Sequence, residues 1–219
     1  MLTDMSAAQR AQSHLVEARA SLEEAAGLYQ EIGDRIGEAS AQCGLCHIAH
    51  DLGAFDSAEA RGLRAISMAR ESGDRSILAY SHHSLGYAYV VMARYESALD
   101  HLRTSLRLHR EEACPPAEAL VLAELCNALR GLGRHGESLE CGEQALAIAG
   151  EIRYLNGEYE ARQALGEALH ACGRTTEAIE QLTNALDLAV RLEQPQDQAR
   201  AQRALGAAVH DVESRPEPA

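Results

Sequence analysis

Tryptophan is absent, phenylalanine occurs once, and five prolines are present, two of them among the last four residues. With aromatic residues at 4%, burial falls to Ala and Leu, which suits close-packed helices rather than sheets. No stretch reaches the roughly 18 unbroken apolar residues of a membrane span. The opening MLTDMSAAQRAQS lacks the apolar run of a secretory signal. Basic residues are outnumbered 20 to 33, a net charge of −13. That balance argues against nucleic-acid backbones and anionic membranes as direct partners and leaves a basic peptide or protein face open. The six cysteines, at 43, 46, 114, 126, 141 and 172, form no spaced framework. They are expected to be reduced thiols in a cytoplasmic protein. No nucleophile–base pair, phosphate loop or paired-carboxylate constellation stands out, so the expectation is neither an enzyme nor a cofactor carrier. The pairs Glu23-Glu24 and Glu111-Glu112 read as solvated helix faces.

What is present is a repeat. Leu45-Cys46, Leu85-Gly86, Leu125-Cys126, Leu165-Gly166 and Leu205-Gly206 recur with a 40-residue period. Ala18, Ala58, Ala98, Ser138 and Ala178 form a second column, and Leu28, Met68, Leu108, Ile148 and Leu188 a third. No insertion or deletion breaks the register. Each unit opens with an amphipathic stretch such as SILAYSHHSLGYAYVVM, with apolar residues on one helical face. A tight turn follows, its Gly supplying a left-handed helix cap. Asp56 with Glu59 predicts a capping box for the next helix. Pro115 and Pro195 suit a first helical turn. One such hairpin cannot bury its apolar face alone, whereas stacked hairpins can. The predicted fold is all-α, an α-solenoid of antiparallel helix pairs with a 40-residue period. The array is expected over 1–212, with a partial repeat at 6–35 and full repeats at 36–74, 75–114, 115–153 and 154–194. A terminal helix at 195–212 and a disordered, Pro-containing tail at 213–219 complete the division.

Leu85-Gly86-x-x-Tyr89, then Ala98, Leu102 and Ser105, resembles the tetratricopeptide repeat (TPR). The likeness spans nearly the whole chain, in a long-repeat form whose period exceeds the usual one of about 34. The motif's Tyr survives only as Tyr89; the other units carry Ala49, Leu129, Leu169 and Val209. This resemblance implies a right-handed superhelix whose first helices line a concave groove. It also implies a non-catalytic module that binds a protein, peptide or ligand. The open N-terminal repeat and the residue bias are similar to the C-terminal TPR sensor region of MalT-like and SARP-like bacterial transcriptional regulators. A stand-alone adaptor that homodimerises through the open N-terminal repeat is the alternative, and residues 1–14 covering that face is another way to close it. The Lys/Asn/Arg clamp of heat-shock co-chaperones is not matched by Cys43, His47, Ser84, Leu120 and Glu124.

Residues 43–50, CGLCHIAH, contain a C-x-x-C-H haem-attachment pattern. In the repeat register Cys46 falls in the column of Gly86, Cys126, Gly166 and Gly206, where a small side chain suits a close helix crossing. Cys43, His47 and His50 share one helical stripe, with His83 one repeat on, which sets a metal- or redox-responsive module as a further alternative. The favoured reading assigns no metal and places these residues on the groove. Counting from the Leu-Gly marker, the groove candidates are His47, His50, Tyr80, His83, Tyr87, Asn127, Arg130, Gln163, Glu167 and His170. Aromatic and His side chains offer contact area with a polar tip, and a carboxamide both donates to and accepts from a peptide backbone.

Overall fold

The computed structural model describes residues 7–214. Among them lie ten helices and no strand: α1 (Ala7–Ile32), α2 (Arg35–Asp51), α3 (Phe55–Ser72), α4 (Arg75–Val91), α5 (Tyr95–Glu111), α6 (Pro115–Gly131), α7 (His135–Glu151), α8 (Leu155–Ala171), α9 (Thr175–Arg191) and α10 (Pro195–Glu213). From α2 onward the helix starts are evenly spaced, so each helix pair keeps the 40-residue period of the sequence. Even-numbered helices are first-type and odd-numbered ones second-type. The chain divides into two compact units, Met1–Leu108 and His109–Ala219. The terminal helix reaches Glu213, and 215–219 of the expected tail lie outside the described residues, as do residues 1–6.

The turns explain the even spacing. At regular intervals from Gly33 to Glu193, one residue in each turn adopts the left-handed conformation. Five of these are glycines; the others are Ala93, Ala113, Arg153 and Glu193, with φ between 51° and 56°. The glycine rule therefore covers only part of the array. At Ala93 the turn is a Schellman motif: the Arg94 N–H donates to Tyr89 O and the Ala93 N–H to Val90 O. Helix starts differ by type. Asp34 and Asp74 cap α2 and α4 by accepting from the N–H of Gly37 and Ile77 at 2.9 Å. Pro115 and Pro195 open α6 and α10. The predicted capping box at Asp56 and Glu59 does not form. The cap position of α3 is Ala54, with no side-chain bond, and Asp56 sits inside the first turn. Glu59 instead accepts from Tyr89 Oη and Arg94 Nη1, both at 2.7 Å. Tyr89, the surviving motif tyrosine, thus ties α3 to α4, with the Arg94 guanidinium 4.5 Å from its ring centre.

The core is built from Ala, Leu and small residues. Added Cβ atoms at Gly86 and Gly166 would lie 2.7 Å from Leu102 Cγ and Leu182 Cγ respectively. In the other units a Cys occupies the first-helix position and a Gly the second: Cys126 Sγ lies 3.2 Å from a Cβ built at Gly142. Small-against-large alternation at this crossing keeps close packing along the array. The Cys46 thiol is fully buried and donates to Ser84 O at 3.8 Å, as the small-residue reading of its column requires. All six cysteines are free.

Candidate functional site

In the first unit, α2 and α4 bring four predicted residues together. The His47 ring stacks on Tyr80 and Tyr87 at centroid distances of 6.4 and 5.6 Å. His50 meets Tyr87 edge-on at 4.8 Å. His47 Nε2 lies 3.0 Å from Ser84 Oγ on α4, which orients the ring. Burial, helped by the neighbouring His50 and opposed by Asp51, pushes the His47 pKa down to about 4. His47 is therefore a neutral ring near pH 7. His50 is buried, with Nδ1 3.1 Å from Asp51 Oδ1 and Nε2 without a partner. Tyr80 is 39% exposed and forms the open edge of the cluster. His83 is half-buried on the same helix. Cys43, placed on the groove stripe by the sequence, is fully buried and donates to Ser81 Oγ at 3.5 Å. Among the described residues no three His, Cys, Asp or Glu side chains gather as a metal-ligand set, so Cys43, His47 and His50 do not form one.

In the second unit, α6, α8 and α10 hold a polar network. Arg130 Nη2 donates to Glu167 Oε2 and Gln163 Nε2 to Glu167 Oε1, each at 2.6 Å. Arg200 Nη1 donates to Glu160 at 3.0 Å. Burial works against the charge of Arg200, yet Glu160, Glu167 and Glu124 around it hold its pKa above the usual range. Glu124 is the most buried of the charged members: burial, reinforced by Glu160, raises its pKa to about 7. Glu160 is raised as well, burial again leading. Four side-chain atoms of this network are buried without a partner: Glu124 Oε2, Asn127 Oδ1, Arg130 Nε and Gln163 Oε1. Arg130 and Glu167 of this network also line a cleft of about 630 Å³, together with His170, Arg200, Arg203 and Asp211, among others. His170 Nε2 pairs with Asp211 Oδ2 across it at 2.8 Å.

The ten predicted residues thus fall into two sets, one in each unit. Gln163 and Asn127 lie deeper than a groove lining suggests, at 0% and 6% exposure. Glu124, Glu160, Arg200 and Asp211 belong to the site and are not among the ten. His82, next to His83 on α4, has its Nδ1 3.0 Å from His101 Nδ1 on α5, in a partly buried pair. A signal for the missed partners exists in the repeat itself. Contacts between neighbouring first helices fall at separations close to one period: 37 for His47–Ser84 and Arg130–Glu167, 40 for Glu160–Arg200 and 41 for His170–Asp211.

No protein-family model matches the chain. A 111-residue stretch, 51% of the chain, is 28% identical to Regulatory protein AfsR of Streptomyces griseus, and it spans 11% of that protein's length. Solved structures share the fold. BtubC from P. vanneervenii matches at a TM-score of 0.68 and 15% identity, covering 94% of this chain and 95% of that one. A Rap protein complexed with competence and sporulation factor matches at 0.65 and 14%, covering 92% and 61%. A signal-transduction ATPase of the STAND group with a tetratricopeptide repeat sensor, from Pyrococcus horikoshii, matches at 0.64 and 14%, covering 80% and 27%. No helix among the described residues is long and apolar enough to cross a membrane. The period, the paired helices, the Schellman-type turns and these likenesses make the chain a tetratricopeptide-like helical repeat.

Proposed function

We propose that the chain is a non-catalytic binding module, the sensor part of a bacterial transcriptional regulator, working in the cytoplasm. A protein or peptide segment is its ligand and the first-type helices are its contact face. The observation that carries this reading is an open cleft walled by Arg130, Glu167 and Arg200, on helices that also hold four buried polar atoms without a partner, one of them Arg130 Nε of the cleft wall. Leaving such groups unpaired costs about 1–3 kcal/mol each. A chain that served only as a packed spacer would gain stability by replacing them with apolar residues. A peptide backbone or polar side chain entering the cleft meets Arg130, whose Nε lacks a partner, and the charged Glu167 and Arg200 beside it. The stacked His47, Tyr80 and Tyr87 cluster supplies the first unit with an aromatic contact surface of a different character. The regulatory setting is favoured by the likeness to Regulatory protein AfsR. The fold-level match to a Rap protein that holds competence and sporulation factor agrees with a peptide ligand. A stand-alone adaptor is the second reading, favoured by the end-to-end match with BtubC.

The test is selection of a displayed library of random peptides on the wild-type chain, followed by titration of the recovered peptides. Two variants are compared, Asn127→Ala with Arg130→Ala and Tyr80→Ala with Tyr87→Ala. At least one pair is expected to weaken binding tenfold or more while helix content is kept. Peptides bound equally well by both variants would remove the first-helix face as the site.

A further inference from the structure

The repeat leaves one helix of each type without its partner, at opposite places in the chain. α1 is a second-type helix with no first-type helix before it among the described residues. α10 is a first-type helix with no second-type helix after it among the described residues. Both faces carry the residues that the array buries elsewhere. Leu28 on α1 is 56% exposed, whereas its column mates Met68, Leu108 and Leu188 are 5%, 4% and 5% exposed and Ile148 is half-buried. Ala18 is exposed where Ala58, Ala98 and Ala178 are fully buried. On α10, Leu205 is half-buried where Leu85 and Leu165 are buried.

The two faces also match in detail. Gly86 receives Leu102 and Gly166 receives Leu182, each Leu standing at the same offset from its Gly. Gly206 has nothing within 4 Å of its Cβ position. A shift of five 40-residue periods carries Leu22 of α1 to position 222, which stands to 206 as 102 stands to 86. Gly206 is thus a hole without its leucine. Leu22 is the leucine of that column: half-buried, it rests on Gly44 of α2 on one side and lacks a preceding first-type helix among the described residues on the other. Polar neighbours agree. The place of the Arg61–Gln42 bond in this pairing is taken by Ser21 and Gln202. That of the Arg64–Glu38 pair is taken by Glu24 and Gln198, so no like charges meet.

We propose that α10 of one copy takes α1 of a second copy, head to tail, and continues the 40-residue repeat across the junction. The contact would reproduce the first-type/second-type packing that already joins α2 to α3 and α8 to α9, so it uses an interface the chain has built internally. It is heterologous: the two copies contribute different surfaces, and each copy keeps one of each free for a further neighbour. It is independent of what the first-type helices bind.

Sedimentation equilibrium of the whole chain tests this. Average mass is expected to rise above that of one chain with increasing concentration. Gly206→Leu fills the hole on α10, and Leu28→Arg puts a charge on the α1 face. Both positions are open in the single chain, so helix content is expected to be unchanged. Each variant alone is expected to weaken self-association at least tenfold. Mixed together they are expected to form a one-to-one pair, because one variant retains an intact α10 and the other an intact α1. A chain that stays monomeric up to about 1 mM, where even a contact with a Kd of about 1 mM is substantially formed, would overturn the proposal. So would self-association untouched by Gly206→Leu, which would mean that like ends pair, or a mixture that stays monomeric. A foreign helix or a flanking segment as the true occupant would show as one of these failures.

Discussion

Burial has moved the titrations of several side chains, lowering those of histidines and raising those of carboxyls and thiols. His47 and His82, with pKa values lowered from 6.5 to about 4 by burial first and neighbouring histidine second, are neutral in the folded chain. Unfolded, they bind a proton below about pH 6.5. Their contribution to stability is therefore complete above that pH and lost as pH falls through 6.5 toward 4, on the order of 3 kcal/mol for each at the limit. Glu124 runs the other way. Its folded pKa of about 7 exceeds the unfolded 4.5, so its contribution is complete below pH 4.5 and lost as pH rises toward 7. Hydrogen exchange read helix by helix, corrected for intrinsic rates, should show α2 and α4 losing protection between pH 7.5 and 5 while α6 gains it. Glu124→Gln, which removes the buried charge but keeps the shape, should stabilise the chain by about 3 kcal/mol at pH 8 and change little at pH 4.5. Equal effects at both pH values in urea unfolding would refute the assigned cause.

Four of the inter-helix turns demand a conformation their residue disfavours. Ala93, Ala113, Arg153 and Glu193 sit at φ of 51° to 56° in the place where Gly33, Gly53, Gly73, Gly133 and Gly173 sit freely. A left-handed residue with a Cβ costs about 1–2 kcal/mol. Replacing Ala113 or Glu193 by Gly should raise stability by roughly 0.5–1 kcal/mol each, after the added chain entropy of the unfolded state is subtracted. Thermal unfolding should register this as an increase of about 2–4 °C per kcal/mol for a chain this long. The reverse change, Gly53→Ala, should lower it. Helix crossings respond with the opposite sign. Gly166→Ala puts a Cβ 2.7 Å from Leu182 Cγ and should cost about 1–3 kcal/mol. Leu182→Ala in the same chain should recover part of that loss, since both changes act on one contact.

A repeat array holds together through nearest neighbours, so stability falls where a neighbour is missing. α1 and α10 each lack one helix among the described residues, and both expose apolar side chains such as Leu28 and Val212. Native-state hydrogen exchange should find their amides opening first, ahead of α4 and α8. Protection in α1 and α10, and only there, should grow with protein concentration if the head-to-tail contact forms. With 33 acidic against 20 basic residues, the molecule should show no measurable affinity for duplex DNA at physiological salt, checked by fluorescence anisotropy.

Much of the architecture is legible in the residue order, because the signals are local and recur. Helix period, turn position and the small-residue column each depend on residues a few places apart, and their recurrence from unit to unit makes them additive. The same register located the stacked His47, Tyr80 and Tyr87. Other features depend on where side chains from separate helices end. Glu59 reads as a cap for its own helix, yet Tyr89 and Arg94 from beyond it offer stronger partners. The partner of His82, His101, comes from α5 and lies 19 residues away in the chain. The Glu124, Glu160 and Arg200 network has no local pattern, since each member lies on a different helix and its desolvation depends on packing at all three. Local spacing sets backbone conformation, whereas burial and pairing of charge are properties of the assembled helices.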